Sequence, residues 1–221
     1  MIAQGKVGMA TTTPRVGSRA LVLASTSPRR RALLKEGGFA HQAVSPGIDD
    51  GELTVPPKAM ARPWVGALAY LKAVSALERL TENVSGVVIL AADTAVVADG
   101  EIIGQARDAE DARRILQRLS DRAHEVYTGA AILAAGWRRI LVDVAQVQVG
   151  RLPADVIEGY VASGQWAGKA GAYNLVERLE AGWPIQFRGD PGTIMGLPMR
   201  MLTPLLRRLL APGTPAEGRA S

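Results

Sequence analysis

The chain contains no cysteine, which excludes disulfides, thiolate nucleophiles and cysteine-bound metals. That absence suits a reducing compartment, and a cytoplasmic location is expected. Histidine is nearly missing as well: His41 and His124 are the only two, too few for a histidine-rich zinc site. Aromatic residues make up 5% of the chain and do not interleave with basic ones, as they do in single-strand nucleic-acid binders. No apolar run approaches the ~20 residues of a membrane span, and the first residues lack the apolar core of a signal peptide. A soluble protein with no membrane role is the expectation. Acid is the scarcer charge, with 21 Asp and Glu against 26 Lys and Arg for a formal charge of +5. Such a balance draws anions by long-range attraction. Part of it sits in Lys6, Arg15 and Arg19, so nucleic acid is not the expected partner.

Against these absences one stretch stands out: Leu21-Val22-Leu23-Ala24-Ser25-Thr26-Ser27-Pro28-Arg29-Arg30-Arg31. An apolar run of strand type changes there into a helical pattern. Ser27 suits an N-cap and Pro28 the first helical position, where a missing N–H costs nothing. Gly37-Gly38 supplies the stop. Three arginines at the positive end of a helix dipole are unfavourable unless an anion balances them. One reading is a solvated basic helix start. The other adds unpaired helix N–H groups, the hydroxyls of Ser25, Thr26 and Ser27, and guanidinium donors to make a phosphate site. The strand-turn-helix context favours phosphate, although the spacing is neither a Walker loop nor GxGxxG.

The remaining pattern is that of an α/β protein of one domain over residues 19–211. Segments 1–18 and 212–221 read as flexible tails, and no internal repeat or linker appears. Asp49-Asp50 reads as a turn or as a site for a hard cation. Leu68, Leu71, Val74 and Leu77 predict a helix from Trp64 to Leu80. Lys72, carried on that helix, is ordinarily the solvated or snorkelling type. Gly86 to Ala92 reads as a buried strand ending in Asp93-Thr94. A strand end is where open α/β sheets place their chemistry, and it is also where a capping carboxylate sits. Asp99-Gly100 signals a two-residue hairpin. Asp108 to Asp111 looks like a capping box before a helix through Leu119. Two longer strands are expected over His124–Ala134 and Ile140–Val149, then a helix from Pro153 to Val161. The small, glycine-rich Ala167–Tyr173 segment suits close approach by a ligand. Gly189–Gly192 reads as a turn, and Gly196-Leu197-Pro198 opens a last helix through Leu210 that contains Pro204.

Taken in order, these motifs resemble the Maf family of nucleotide pyrophosphatases. The pieces are Ala24-Ser25-Thr26-Ser27-Pro28-Arg29-Arg30, Leu68-Ala69-Tyr70-Leu71-Lys72-Ala73, Ala92-Asp93-Thr94 and Arg107-Asp108-Ala109-Glu110-Asp111-Ala112. His124-Glu125-Val126-Tyr127-Thr128, Lys169-Ala170-Gly171-Ala172-Tyr173 and Gly196-Leu197-Pro198 complete the set. The resemblance implies a mixed sheet with two lobes flanking a central cleft, a fold shared with inosine-triphosphate pyrophosphatases. It implies metal-dependent hydrolysis of a nucleoside triphosphate to monophosphate and pyrophosphate, as house-cleaning of pyrimidine (dTTP or UTP) or modified nucleotides. Asp93 would be the general base, and Ser25, Ser27, Arg29, Arg30, Lys72 and Gln105 would contact phosphate. Mg2+ or Mn2+ would bind through Asp93 and Asp50. A homodimer is compatible with the resemblance.

Two positions depart from the family pattern. Gln105-Ala106 stands where Lys-Pro is usual, and Val176 stands where the pyrimidine branch carries glutamine. Arg29 and Thr94 agree with that branch and disagree with the branch acting on methylated GTP, so Arg29, Thr94 and Val176 are the positions expected to set base preference. The competing expectation is a nucleotide-sensing or nucleic-acid-associated binding protein with weakened catalysis.

Overall fold

The computed structural model describes residues 19–48, 60–80 and 86–212. The apolar run forms β1 (Ala20–Ala24) and passes through Ser25–Ser27 into α1 (Pro28–Glu36). There follow β2 (Gln42–Val44), α2 (Ala61–Glu78), β3 (Val87–Ala98), β4 (Glu101–Ile103) and α3 (Ala109–Leu119). The second half holds β5 (Arg122–Ala134), β6 (Trp137–Val149), α4 (Ala154–Ala162), α5 (Leu175–Glu180), β7 (Ile185–Arg188), α6 (Pro191–Met195) and α7 (Met199–Leu210). Of the expected tails, only Pro212 falls within the described residues, and Asp49-Asp50 lies outside them.

One seven-stranded mixed sheet, ordered β2-β1-β3-β5-β6-β7 with β4 on β3, carries everything else. β1 runs parallel to β2 and β3, and the other pairings are antiparallel. The Asp99-Gly100 turn has positive φ at both residues, 50° and 82°, as a primed hairpin turn requires.

The pairing leaves one deliberate gap. β5 fills one edge of β3 from Ile89 to Val97. The opposite edge takes β1 along Val87–Leu90 and β4 along Val96–Ala98. Among the described residues, 91–95 therefore have no strand partner on that side, and the register of β1 delivers Ser25–Ser27 toward the gap. Asp93 was expected at a strand end. It lies instead inside a strand that continues to Ala98, and what ends beside it is β1.

Alternation along β3 sends neighbours to opposite faces. Val87, Ile89 and Ala91 pack with Ala69, Ala73 and Ala76 of α2. Val88, Leu90 and Ala92 pack with Leu202 and Leu206 of α7 and Leu34 of α1. Farther along that second face, Val96 and Ala98 meet α3 and α4 through Ile115, Leu116 and Ile157. Thr94 falls between these two helix groups, while Asp93 faces α2.

α2 packs unusually close to the sheet. Its buried face is Ala61, Val65, Gly66, Leu68, Ala69, Lys72, Ala73 and Ala76, so small residues turn inward and large ones outward. The stripe expected from Leu68, Leu71, Val74 and Leu77 is wrong at Leu71, which is 49% exposed. Close approach is possible because Gly129, the cross-strand partner of Asp93, has no side chain. A Cβ at Gly129 would lie 2.3 Å from the Val65 carbonyl oxygen and 2.7 Å from the Gly66 nitrogen. A second departure lies at Gly189–Gly192: Asp190 caps a short helix there rather than a simple turn, its carboxylate accepting from the Gly192 N–H at 2.8 Å.

Gly129→Ala is expected to lower stability by about 2–3 kcal/mol, because the new methyl meets backbone and α2 must shift. Urea denaturation measures this, and an unchanged midpoint with an unchanged m-value would refute the close packing.

Candidate active site

Between the two helix groups, and reaching around the unpaired edge of β3, lies a cleft of about 530 Å³. Ser25, Ser27, Arg29, Arg30, Lys72, Asp93, Thr94 and Gln105 all line it, although they come from four separate parts of the chain. Asp50 is outside the described residues. Val176 is not part of the lining, and its side chain is 44% exposed on α5. Asn174 and Glu177 line the cleft in its place, since a helix turns successive side chains by ~100°.

At the centre, the Lys72 ammonium donates to Asp93 Oδ1 at 2.7 Å, with the two side chains 10% and 12% exposed. Lys72 is thus neither solvated nor snorkelling. It sits at the seventh residue after Val65, on the face that Gly129 lets approach the sheet. A buried charge needs a partner of this kind, because leaving it alone costs several kcal/mol.

Ser27 occupies the N-cap of α1 in backbone terms, with φ −64° and ψ 120°, yet its side chain caps nothing. Its N–H donates instead to Ser25 Oγ at 3.2 Å. Ser25 Oγ also accepts from Arg30 Nη1 at 3.4 Å. Arg30 spans the gap: Nε donates to the Gly196 carbonyl at 3.0 Å and Nη2 to Thr94 Oγ1 at 3.2 Å. Gly196 has φ +104°, and a Cβ there would stand 3.0 Å from Arg30 Nε.

A hydroxyl relay supports that arginine from below. Thr128, fully buried, donates its single proton to the Thr193 carbonyl at 2.7 Å. Thr94 must therefore be the donor in its 3.0 Å contact with Thr128, and its oxygen is turned to accept from Arg30. Thr193 in turn donates to Asp143 Oδ2 at 2.5 Å.

The far wall brings in Lys169, Tyr173, Asn174 and Glu177, none of them singled out as a site residue from the sequence. Lys169, buried, pairs with Glu177 Oε2. Both line the cleft with Tyr173 and Asn174. Arg29 reaches across to the Gly168 carbonyl at 3.4 Å. Burial pulls the Arg29 guanidinium below its ordinary value, while the nearby Glu177 charge acts in the opposite direction. The glycine-rich segment signalled this wall, since Gly168, Gly171 and Ala172 all adopt positive φ near 60–70°. Glu177 carried no local signal. Gln105, exposed, faces the cleft and forms an isolated bridge with Ala170.

Behind the loop, His124 Nε2 and the Tyr173 hydroxyl lie 2.8 Å apart, both buried. Burial lowers the His124 imidazole to about 4 and raises the Tyr173 phenol. Asp93 and Glu177 are the carboxylates that line the cleft among the described residues. No group of three or more His, Cys, Asp or Glu able to cage a metal occurs among those residues. The cleft brings a short carboxylate together with cationic and hydroxyl donors, a lining suited to a polyanion.

A family described as Maf-like protein matches residues 20–209. An Anaeromyxobacter relative named dTTP/UTP pyrophosphatase is 39% identical over 90% of this chain and 96% of its own length. Relatives with that name from Anaeromyxobacter dehalogenans and Dictyoglomus thermophilum are 41% and 36% identical, over 85% and 86% of this chain and 93% and 95% of their own. The solved Staphylococcus aureus Ham1 protein is similar at a TM-score of 0.38 and 13% identity, over 59% of this chain and 72% of that one.

Because His124 is neutral when buried, its contribution to stability is complete above its unfolded value near 6.5. It is lost as pH falls toward about 4, since the unfolded chain takes up a proton there and the folded protein does not. The loss amounts to roughly 3 kcal/mol across that window. Urea midpoints should fall between pH 6.5 and 4, and His124→Gln, which keeps a polar partner for Tyr173, should flatten that part of the profile.

Proposed function

The chain belongs to the Maf-like protein family, and on that premise we propose that it hydrolyses nucleoside triphosphates to monophosphate and pyrophosphate. The observation that carries this is the meeting of Asp93 and Lys72 with Ser25, Arg29 and Arg30 in one cleft. The pyrimidine preference in its relatives' names, dTTP and UTP, agrees with Arg29 and Thr94 here. House-cleaning of such nucleotides in the cytoplasm is the corresponding role. No helix among the described residues is long and apolar enough to cross a membrane. Nothing in the cleft favours a sensing protein with weakened catalysis.

In this reading, Asp93 orients a water and takes its proton as the water oxygen attacks the α-phosphorus. The α–β anhydride bond breaks and pyrophosphate leaves. Lys72 fixes the carboxylate by its 2.7 Å hydrogen bond. Arg29, Arg30, Ser25 and the first N–H groups of α1 hold phosphate oxygens and offset the charge that builds on the leaving group. Thr94 acts by aiming Arg30. Gln105 offers a neutral donor to the same anion. Base preference is assigned to Arg29 and Thr94, while the placement of Val176 lends it no such part.

Hard cations such as Mg2+ use one or two carboxylates, water and substrate phosphates rather than a protein cage, and the single central carboxylate fits that pattern. Asp93, with Asp50, would hold Mg2+ or Mn2+. The ion would supply charge neutralisation on the phosphates.

A screen of nucleoside triphosphates with Mg2+ or Mn2+, resolving phosphate products, is expected to yield pyrophosphate and monophosphate, with UTP and dTTP highest in kcat/KM. Orthophosphate as the released product would overturn the assignment. Asp93→Asn should lower kcat by at least ~100-fold while nucleotide binding persists, with circular dichroism confirming that the variant is folded. Near-normal turnover would remove Asp93 from the chemistry.

A further inference from the structure

The cleft holds a carboxylate that the proposed hydrolysis does not use. Glu177 lies on the first turn of α5, its backbone N–H donating to the Asn174 side chain at 3.3 Å. Its carboxylate takes the ammonium of Lys169. The Lys169 side chain is 10% exposed, whereas that of Glu177 is 41% exposed, so the lysine is the fixed member and the acid the accessible one. Across the cleft stands Arg29, anchored to the Gly168 carbonyl immediately before Lys169.

Lys169 thus pairs with this acidic side chain, while Arg29, held on the Gly168 carbonyl, lines the same cleft. A carboxylate offers two acceptor oxygens to cations, as one end of a phosphate chain does. A buried ammonium left without an anion would be costly in an empty cleft. A protein acid that is itself partly in solvent meets that cost and can still be displaced, because turning outward returns it to water.

We propose that Glu177 is an internal stand-in for substrate phosphate, holding Lys169 until a polyphosphate takes its place. Lys169 is then an anion-binding cation of the far wall, and the displacement of Glu177 is a toll on every phosphate-chain ligand. This rests on the reading of the cleft as a triphosphate site. It makes Glu177 a determinant of affinity, acting through Lys169, and not a group that touches the reacting atoms.

Glu177→Gln keeps the shape and one acceptor oxygen while removing the charge. Binding of inorganic pyrophosphate, measured by calorimetry, should tighten by about three- to tenfold, with a gain that shrinks as salt is added. KM for UTP or dTTP should fall more than kcat changes. Lys169→Met should weaken pyrophosphate binding and abolish the gain from Glu177→Gln in the double variant. A merely structural ion pair predicts a lower Tm for Glu177→Gln with unchanged or weaker pyrophosphate affinity, and that result overturns the proposal. Hydrolysis by the unaltered protein is assayed in parallel. Hydrolysis without tighter pyrophosphate binding in the variant overturns the stand-in alone. Tighter binding without hydrolysis keeps the stand-in and overturns the enzymatic reading.

Discussion

The structure depends on how closely α2 lies against the sheet. Gly129 is bare beside Asp93, and the backbone of Val65 and Gly66 occupies the space that a side chain would fill. That contact fixes the height of the helix, and two turns later it brings Lys72 to Asp93. A larger residue at Gly129, or large residues inward on α2, would lift the lysine away. The buried ion pair is therefore a consequence of backbone packing.

A second constraint is the break in pairing along β3. β1 and β4 share an edge without meeting, so the turn after β1 can enter the sheet plane rather than pass over it. Arg30 uses that opening to reach Thr94 and Gly196. The hydroxyl relay through Thr128 then ties its aim to β5 and α6. Each cation described in the cleft already has an acceptor from the protein: Gly196 and Thr94 for Arg30, Gly168 for Arg29, Asp93 for Lys72 and Glu177 for Lys169. A cleft that concentrates positive charge can fold without its ligand only under such an arrangement, because isolated buried charge is expensive.

Much of this was legible residue by residue. The strand-turn-helix at Ser25–Pro28, the Asp99-Gly100 hairpin and the cap at Asp108 follow from local chemistry, and each forms as read. The candidate site was legible as a set of residues, and the cleft collects those that lie within the described residues, apart from Val176. Lys72 was expected in the site from the motif it belongs to, but helical spacing by itself suggested an ordinary solvated lysine, because it does not say whether large or small residues face the sheet. Asp93 was read as the end of a strand because the polar residue interrupts an apolar run, yet the backbone ladder with β5 continues regardless of that side chain. Glu177 was missed because its meaning comes only from Lys169 and Arg29.

By itself, the sequence determined the strand-turn-helix opening, the Asp99-Gly100 hairpin, the Asp108 cap and the α/β class. Those properties arise from hydrogen bonding and periodicity over a few neighbouring residues. Tertiary structure alone decided which charges meet. Lys72 and Asp93 are 21 positions apart, Arg30 and Thr94 64, and Arg29 and Gly168 139. Contacts at such separations depend on strand register and helix height, which are set by the packing of the whole sheet and leave no trace in any short stretch of residues.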